Sequence, residues 1–152
     1  MKEEIVETFS LLHDGYLEFI EGNVSELSIN ISIDFLVNYI NQEYVSLKVV
    51  LNDVTEIEYE DWSYSKTVYS DLEAILSIAN GIWLTKSNLS IDGRIAIHGH
   101  GGNSSDETSC GGSILFNCKK YRIIDEGGHL LSLSQLKHFN KLYWDSFYKK
   151  IN

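Results

Sequence analysis

The chain has 152 residues, 43% hydrophobic and 22% charged, and its 22 acids outnumber 12 bases for a net charge of −10. These are the length and composition of one folded domain with a real hydrophobic core, not of a disordered segment. Phosphate backbones and anionic membrane surfaces repel such a molecule, so nucleic acid and membrane are not expected as partners and a basic protein is.

The amino terminus reads Met1-Lys2-Glu3-Glu4-Ile5, with acids where a secretory signal carries a basic start and an apolar run. No window reaches the roughly 18 consecutive apolar residues of a membrane span. Cys110 and Cys118 are too few for a disulfide framework, although one bond between them stays open in an oxidising compartment. The expected address is the cytoplasm.

Along the chain, residues 16–20 and 27–33 read as two strands joined by the turn residues Glu21, Gly22 and Asn23. In the second strand Leu27, Ile29, Ile31 and Ile33 alternate strictly with Ser28, Asn30 and Ser32, which predicts one buried and one wetter face. Residues 34–43 fit either a short helix, with Phe35, Leu36, Tyr39 and Ile40 on one face, or a loop. Extended chain at 47–51 and 54–60 is interrupted by Asn52-Asp53 as a turn or bulge. A helix is predicted over 71–80, capped by Ser70 and Glu73, striped by Leu72, Ile75, Leu76 and Ala79, and stopped at Gly81.

Strands follow at 82–84 and 88–98, with Asp92-Gly93 as a turn, then a polar glycine-rich loop over 99–112 and extended chain at 113–119 and 120–125. The last helix carries the fullest set of signals. Ser132 and Gln135 form a capping box, Leu131 and Leu136 a hydrophobic staple, and Leu136, Phe139, Tyr143 and Phe147 a face expected to dock on the sheet. Residues 1–152 therefore predict a single α+β domain, a largely antiparallel sheet with two or three packed helices, one of them C-terminal. Strand order is not readable from these patterns.

His13-Asp14, two strands, then Leu51-Asn52-Asp53-Val54-Thr55-Glu56-Ile57-Glu58 and Trp62 resemble a pattern in small uncharacterised bacterial proteins. Some of these are similar to the immunity partners of polymorphic toxins. The resemblance spans roughly the first 60 residues. It implies a protein-binding role and brings no catalytic residues with it.

Three groups of residues bear on chemistry. Asp53, Glu56, Glu58, Glu60 and Asp61 fall within nine residues, and strand alternation puts Glu56, Glu58 and Glu60 on one face, roughly 6.5–7 Å apart, with Ile57 and Tyr59 on the other. This negative ridge is either a solvated, aggregation-blocking face or a docking surface for a basic partner. His98 and His100 share a strand face and could present two imidazoles to a metal, but Asp106, Glu107, Cys110 and His129 stand at no diagnostic spacing for a third ligand. The loop over 99–112 lacks the Lys-Ser/Thr ending of a phosphate-binding loop, and Ser104, Ser105 and Ser109 lack a nucleophile elbow. Cys118 shares strand parity with Ile114 and Phe116, as a small buried hydrophobe does. His13 and Asp14, adjacent in sequence, fit a turn better than a catalytic pair.

No catalytic residue and no cofactor is assigned, and the enzyme question leans to no. The expected function is a non-enzymatic interaction module, of immunity type, that binds a basic toxin through Asp53, Glu56, Glu58, Glu60 and Asp61. The alternatives are a metal-binding protein or metal-dependent hydrolase using His98 and His100, and a structural or regulatory domain.

Overall fold

The computed structural model describes residues 1–63, 66–101 and 111–151. The chain opens with helix α1 (Lys2–Leu11), where Ile5 and Phe9, continued by Leu12, recur at helical spacing and are all 0–1% exposed. Glu3 and Glu4 in its first turn suit the positive end of the helix dipole. The helix stops at His13-Asp14, where Asp14 takes a left-handed φ of 68°.

Strands β1 (Tyr16–Gly22) and β2 (Glu26–Ser32) form the expected hairpin. Its turn is fixed by Asn23, whose side-chain oxygen accepts the backbone N–H groups of Ser25 (2.9 Å) and Glu26 (3.2 Å). Leu27, Ile29, Ile31 and Ile33 are buried as the alternation requires. Asn30 departs from it. It is expected among the more exposed residues yet is 7% exposed, because Phe19 on β1 and Lys48 on the next strand flank it across the sheet. Residues 34–43 yield only one helical turn, α2 (Asp34–Val37).

Strands β3 (Ser46–Asn52), β4 (Thr55–Asp61) and β5 (Val68–Tyr69) lead to α3 (Leu72–Ile78). The cap of α3 is Asp71 rather than Ser70. Its carboxylate accepts the N–H of Ala74 at 3.2 Å, so the helix starts one residue later than the Ser70/Glu73 box implies. Ile75 and Ala79 are buried and Gly81 turns the chain at φ 69°. Next come the hairpin of β6 (Ile82–Leu89) and β7 (Ile95–Gly101), closed at Gly93 (φ 86°), and then β8 (Gly112–Asn117), β9 (Lys120–Asp125) and β10 (Leu130–Leu131).

The glycine-rich stretch is partly strand. Gly99 and Gly112 face each other across β7 and β8. A Cβ on Gly99 would lie 2.1 Å from Ile82 Cγ2, and one on Gly112 would lie 2.5 Å from the Tyr59 ring, so both close approaches require glycine. The remaining expected loop, with Ser104, Ser105, Asp106, Glu107, Ser109 and Cys110, lies outside the described residues.

Among the described residues every strand pairing is antiparallel, and the order is β10-β9-β3-β2-β1-β6-β7-β8-β4-β5. Strands β3 and β4 are third and ninth in that order yet only two residues separate them, which reach at most about 11 Å from Asn52 to Thr55. Six strand spacings in a flat sheet would cover roughly 29 Å. The sheet therefore curls until β3 and β4 come end to end. The register shows how: β3 pairs with β9 through Asn52↔Lys120, and β4 pairs with β8 from Thr55↔Asn117, three residues on along both chains. Strands β3 and β4 thus run on as one strand of a ribbon, bent at Asp53 (φ 53°), and pair on either side of that bend with β9 and β8 in one continuing register. One arm of this ribbon adds β2, the other adds β7, and the short β1–β6 pairing completes the circuit.

Helix α4 (Leu133–Ile151) is capped as its sequence predicts. Gln135 Oε1 accepts the Ser132 N–H at 2.8 Å, and Ser132 Oγ accepts the Gln135 N–H at 3.1 Å. It packs chiefly on α1 and α2 rather than on the sheet. Lys137 pairs with Glu7 at 2.7 Å, Tyr39 donates to the Leu142 carbonyl, and Phe35 stacks obliquely on Tyr143. Burial fades along the helix, from Leu136 (0% exposed) to Phe147 (40% exposed). Leu136→Ala should accordingly cost about 2–5 kcal/mol in chemical denaturation, and Phe147→Ala about 1 kcal/mol or less. Equal losses at the two positions would show that the far end of α4 is buried as well.

Candidate interaction face

The closed sheet has an inner face filled by the core and an outer face that can meet other molecules. On β7, Ile95, Ile97 and Gly99 point inward, so Ala96, His98 and His100 point outward. Pairing then aligns two outward rows. Tyr16, Trp83 and His100 run across β1, β6 and β7, and Glu60, Ser113, His98 and Lys86 run across β4, β8, β7 and β6.

The aromatic side chains of this face are well exposed for their size. Trp83 is 47% and Trp62 38% exposed. Tyr16 and Trp83 have ring centroids 4.8 Å apart, and Trp62 stacks on His98 at 6.2 Å with an interplanar angle of 25°. Trp62 is anchored through its backbone, where its N–H donates to the Gly111 carbonyl. Beside the second row, on the side away from Trp83, lies a recess of about 440 Å³, bordered by Glu60, Asn88, Arg94, His98 and Ser113, with Ala96 and Leu115 as buried apolar floor.

The five carboxylates expected to form a ridge have separate fates. Asp53 sits exposed at the ribbon's bend. Glu56 occupies a β-bulge at φ 53°, where the pairing slips by one residue between Thr55 and Glu58, and its carboxylate accepts from Asn117 Nδ2 at 3.2 Å. Glu58 meets Arg94 Nη1 at 3.4 Å, and Asp92 holds Nη2 of the same guanidinium at 2.9 Å. Asp61 is 5% exposed and accepts the Ser63 N–H at 3.0 Å. Glu60 is half-buried, and its carboxylate has no hydrogen bond or ion pair among the described residues. Burial, then the charge of Asp61 and the neighbouring Tyr69, pushes the Tyr59 hydroxyl up to about 12, so it stays protonated beneath this strand. The three glutamates thus differ in setting: Glu56 is tied to an amide, Glu58 to a guanidinium, and Glu60 to neither among the described residues.

His98 and His100 share a face as expected but not an environment. His100 is exposed beside Trp83. Both ring nitrogens of His98 are occupied, Nδ1 by Ser113 Oγ and Nε2 by Asn88 Oδ1, each at 2.7 Å. An amide oxygen only accepts, so Nε2 carries the proton and Nδ1 receives the Ser113 hydroxyl. Burial, and secondarily Lys86, holds the imidazole below its ordinary pKa, which keeps it neutral. A metal at His98 would have to break one of these bonds, and among the described residues no group of three His, Cys, Asp or Glu side chains is placed to hold one. His129 lies away on the β9–β10 turn beside Asp125.

The Ser113–His98–Asn88 chain has the connectivity of a nucleophile, a base and an orienting group. Ser113 is 3% exposed in mid-strand, however, without the sharp turn that presents a hydrolase serine. Its role is to tie β8 to β6 through the imidazole on the strand between them. His13 and Asp14 terminate α1, with His13 stacked on Trp144 at 5.8 Å. Cys118 is half-buried against the core, and burial raises its thiol pKa.

Trp83 and Tyr16 are not among the candidate residues read from sequence, and Trp62 enters there only as part of the resemblance, although part of the signal is there. Ile82 and Leu84 flank Trp83, and two inward neighbours force an outward tryptophan. No family model, curated protein or solved structure matches the chain.

The state of His98 has a measurable consequence. As pH falls below about 6.5, the unfolded chain protonates this imidazole before the folded one does, so the fold loses stability until the folded imidazole is protonated in turn. In His98→Gln this component is absent. The stability difference between the native chain and the variant should therefore narrow as pH is lowered from about 7.5 to about 5.5, read as urea midpoints. A difference independent of pH would place His98 in an unperturbed setting.

Proposed function

We propose that the chain is a non-enzymatic protein-interaction module of immunity type, acting in the cytoplasm, which binds a basic protein through the outer face of β4, β8, β7 and β6. The observation that carries this reading is the presence of Trp62 and Trp83, both more than one-third exposed, on the sheet face that also bears Glu60. Exposed tryptophans on a rigid sheet are the side chains that most often dominate binding energy. A net charge of −10 supplies long-range attraction for a basic partner, and the resemblance of roughly the first 60 residues to small bacterial proteins, some of them similar to toxin-immunity partners, points the same way.

The two contributions separate experimentally. With a basic toxin as partner, Trp83→Ala should weaken binding by about 2 kcal/mol or more, mainly through faster dissociation, and leave the thermal melt nearly unchanged because the side chain is half exposed. Added salt, or glutamine at Glu56, Glu58 and Glu60 together, should slow association instead. A partner whose affinity ignores Trp83→Ala and whose association ignores salt uses another surface.

A further inference from the structure

We propose that the space beside Glu60 receives a guanidinium group, the side chain of an arginine on the basic partner. This rests on the interaction face described above and specifies what its centre recognises.

The charges around the recess decide the sign of the ligand. Glu56, Glu58, Asp61 and Asp92 each have a partner, whereas the half-buried Glu60 carboxylate has none among the described residues. A carboxylate at the rim of a recess with no cation yet paired to it is open to a charge-assisted hydrogen bond from an incoming cation. Arg94 borders the same recess, but its guanidinium is already engaged by Glu58, by Asp92 and by the Glu56 carbonyl at 3.0 Å, so it does not prepare the recess for an anion. His98 is neutral and adds no positive charge of its own.

The shape selects guanidinium over ammonium. Glu60 stands between the main recess and a second hollow of about 430 Å³ bordered by Asp61, Trp62, Lys66 and Val68, and Lys66 makes no ion pair with Glu60. The stacked rings of Trp62 and His98 lie beside this junction and present π surface to a planar cation. Two further acceptors, Asn88 Oδ1 and Ser113 Oγ, border the main recess and are held in place by His98. A guanidinium can pair two N–H groups with Glu60, stack on an aromatic ring and still offer donors to these oxygens, while its stem covers Ala96 and Leu115. An ammonium satisfies only the charge.

The probe is N-acetyl-arginine-methylamide, titrated into the full chain and followed by NMR at the Trp62 indole and His98 imidazole. Its citrulline counterpart has the same shape without the charge, and its lysine counterpart the charge without the fork. Saturable shifts at both rings are expected with the arginine probe, several-fold weaker binding with lysine and none with citrulline. Glu60→Gln should weaken the arginine probe by about tenfold or more, without altering the melt, because no hydrogen bond or ion pair of Glu60 among the described residues is lost. The proposal is overturned by the absence of saturation, by equal binding of the citrulline probe, or by equal binding in Glu60→Gln. A failed titration in a chain whose protein partner still depends on Trp83 removes the guanidinium site alone. Saturable binding in a chain whose partners all ignore Trp83→Ala upholds this site and removes the wider face.

Discussion

The two-residue passage from β3 to β4 governs the rest of the molecule. A chain that leaves one strand at Asn52 and enters another at Thr55 has no length to cross a flat ten-stranded sheet, so the sheet bends until both strands become arms of one ribbon. The positive φ of Asp53 sharpens the bend, and the backbone N–H groups of Asp53 and Val54 donate to the carbonyls of Ser25 and Val24 in the β1–β2 turn. Everything outward-facing follows from that closure. Strand β4 comes to lie two strands from β7, which brings Glu58 to Arg94 and puts Glu60 in a row with Ser113 and His98.

Closure also decides how an acidic chain tolerates its own charge. An even ridge of glutamates would repel itself along β4. The bulge at Glu56 breaks the spacing, Arg94 compensates Glu58, and Asp61 turns into a backbone hydrogen bond, which leaves Glu60 as the carboxylate of β4 without a hydrogen bond or ion pair among the described residues. Four of the 12 basic side chains, Lys137, Lys141, Lys149 and Lys150, lie on helix α4, which packs against α1 and α2, while Lys66, Lys86 and the ion-paired Arg94 stand near Glu60 on the sheet face.

Local patterns were legible where local physics sets them. The alternation at Leu27, Ile29, Ile31 and Ile33, the Asp92-Gly93 turn and the Ser132/Gln135 box needed only neighbouring residues, and all are present. Helix α1 was legible in principle from Ile5, Phe9 and Leu12, but its acidic start carries no capping side chain to announce it. The cap of α3 moved by one residue because Ser70 and Asp71 are both good caps and only the start of the helix selects between them. Strand order was not legible, since the bend at Asn52-Asp53 looks in sequence like any turn. The site was therefore only half visible. Glu60 and His98 could be named, but Asn88, Arg94, Ser113 and the two tryptophans join them only through pairings between distant segments.

The account stands on the continuous register of the bent ribbon, and cross-strand nuclear Overhauser effects measure it directly. The closed sheet predicts contacts between Asn52 and Lys120, between Thr55 and Asn117, and between Glu58 and Leu115, together with contacts between Leu17 and Ile82 that complete the circuit. Contacts of β3 with β4, as in a simple hairpin turning at Asn52-Asp53, would contradict the closure and with it the gathering of Glu60, Ser113 and His98 on one face.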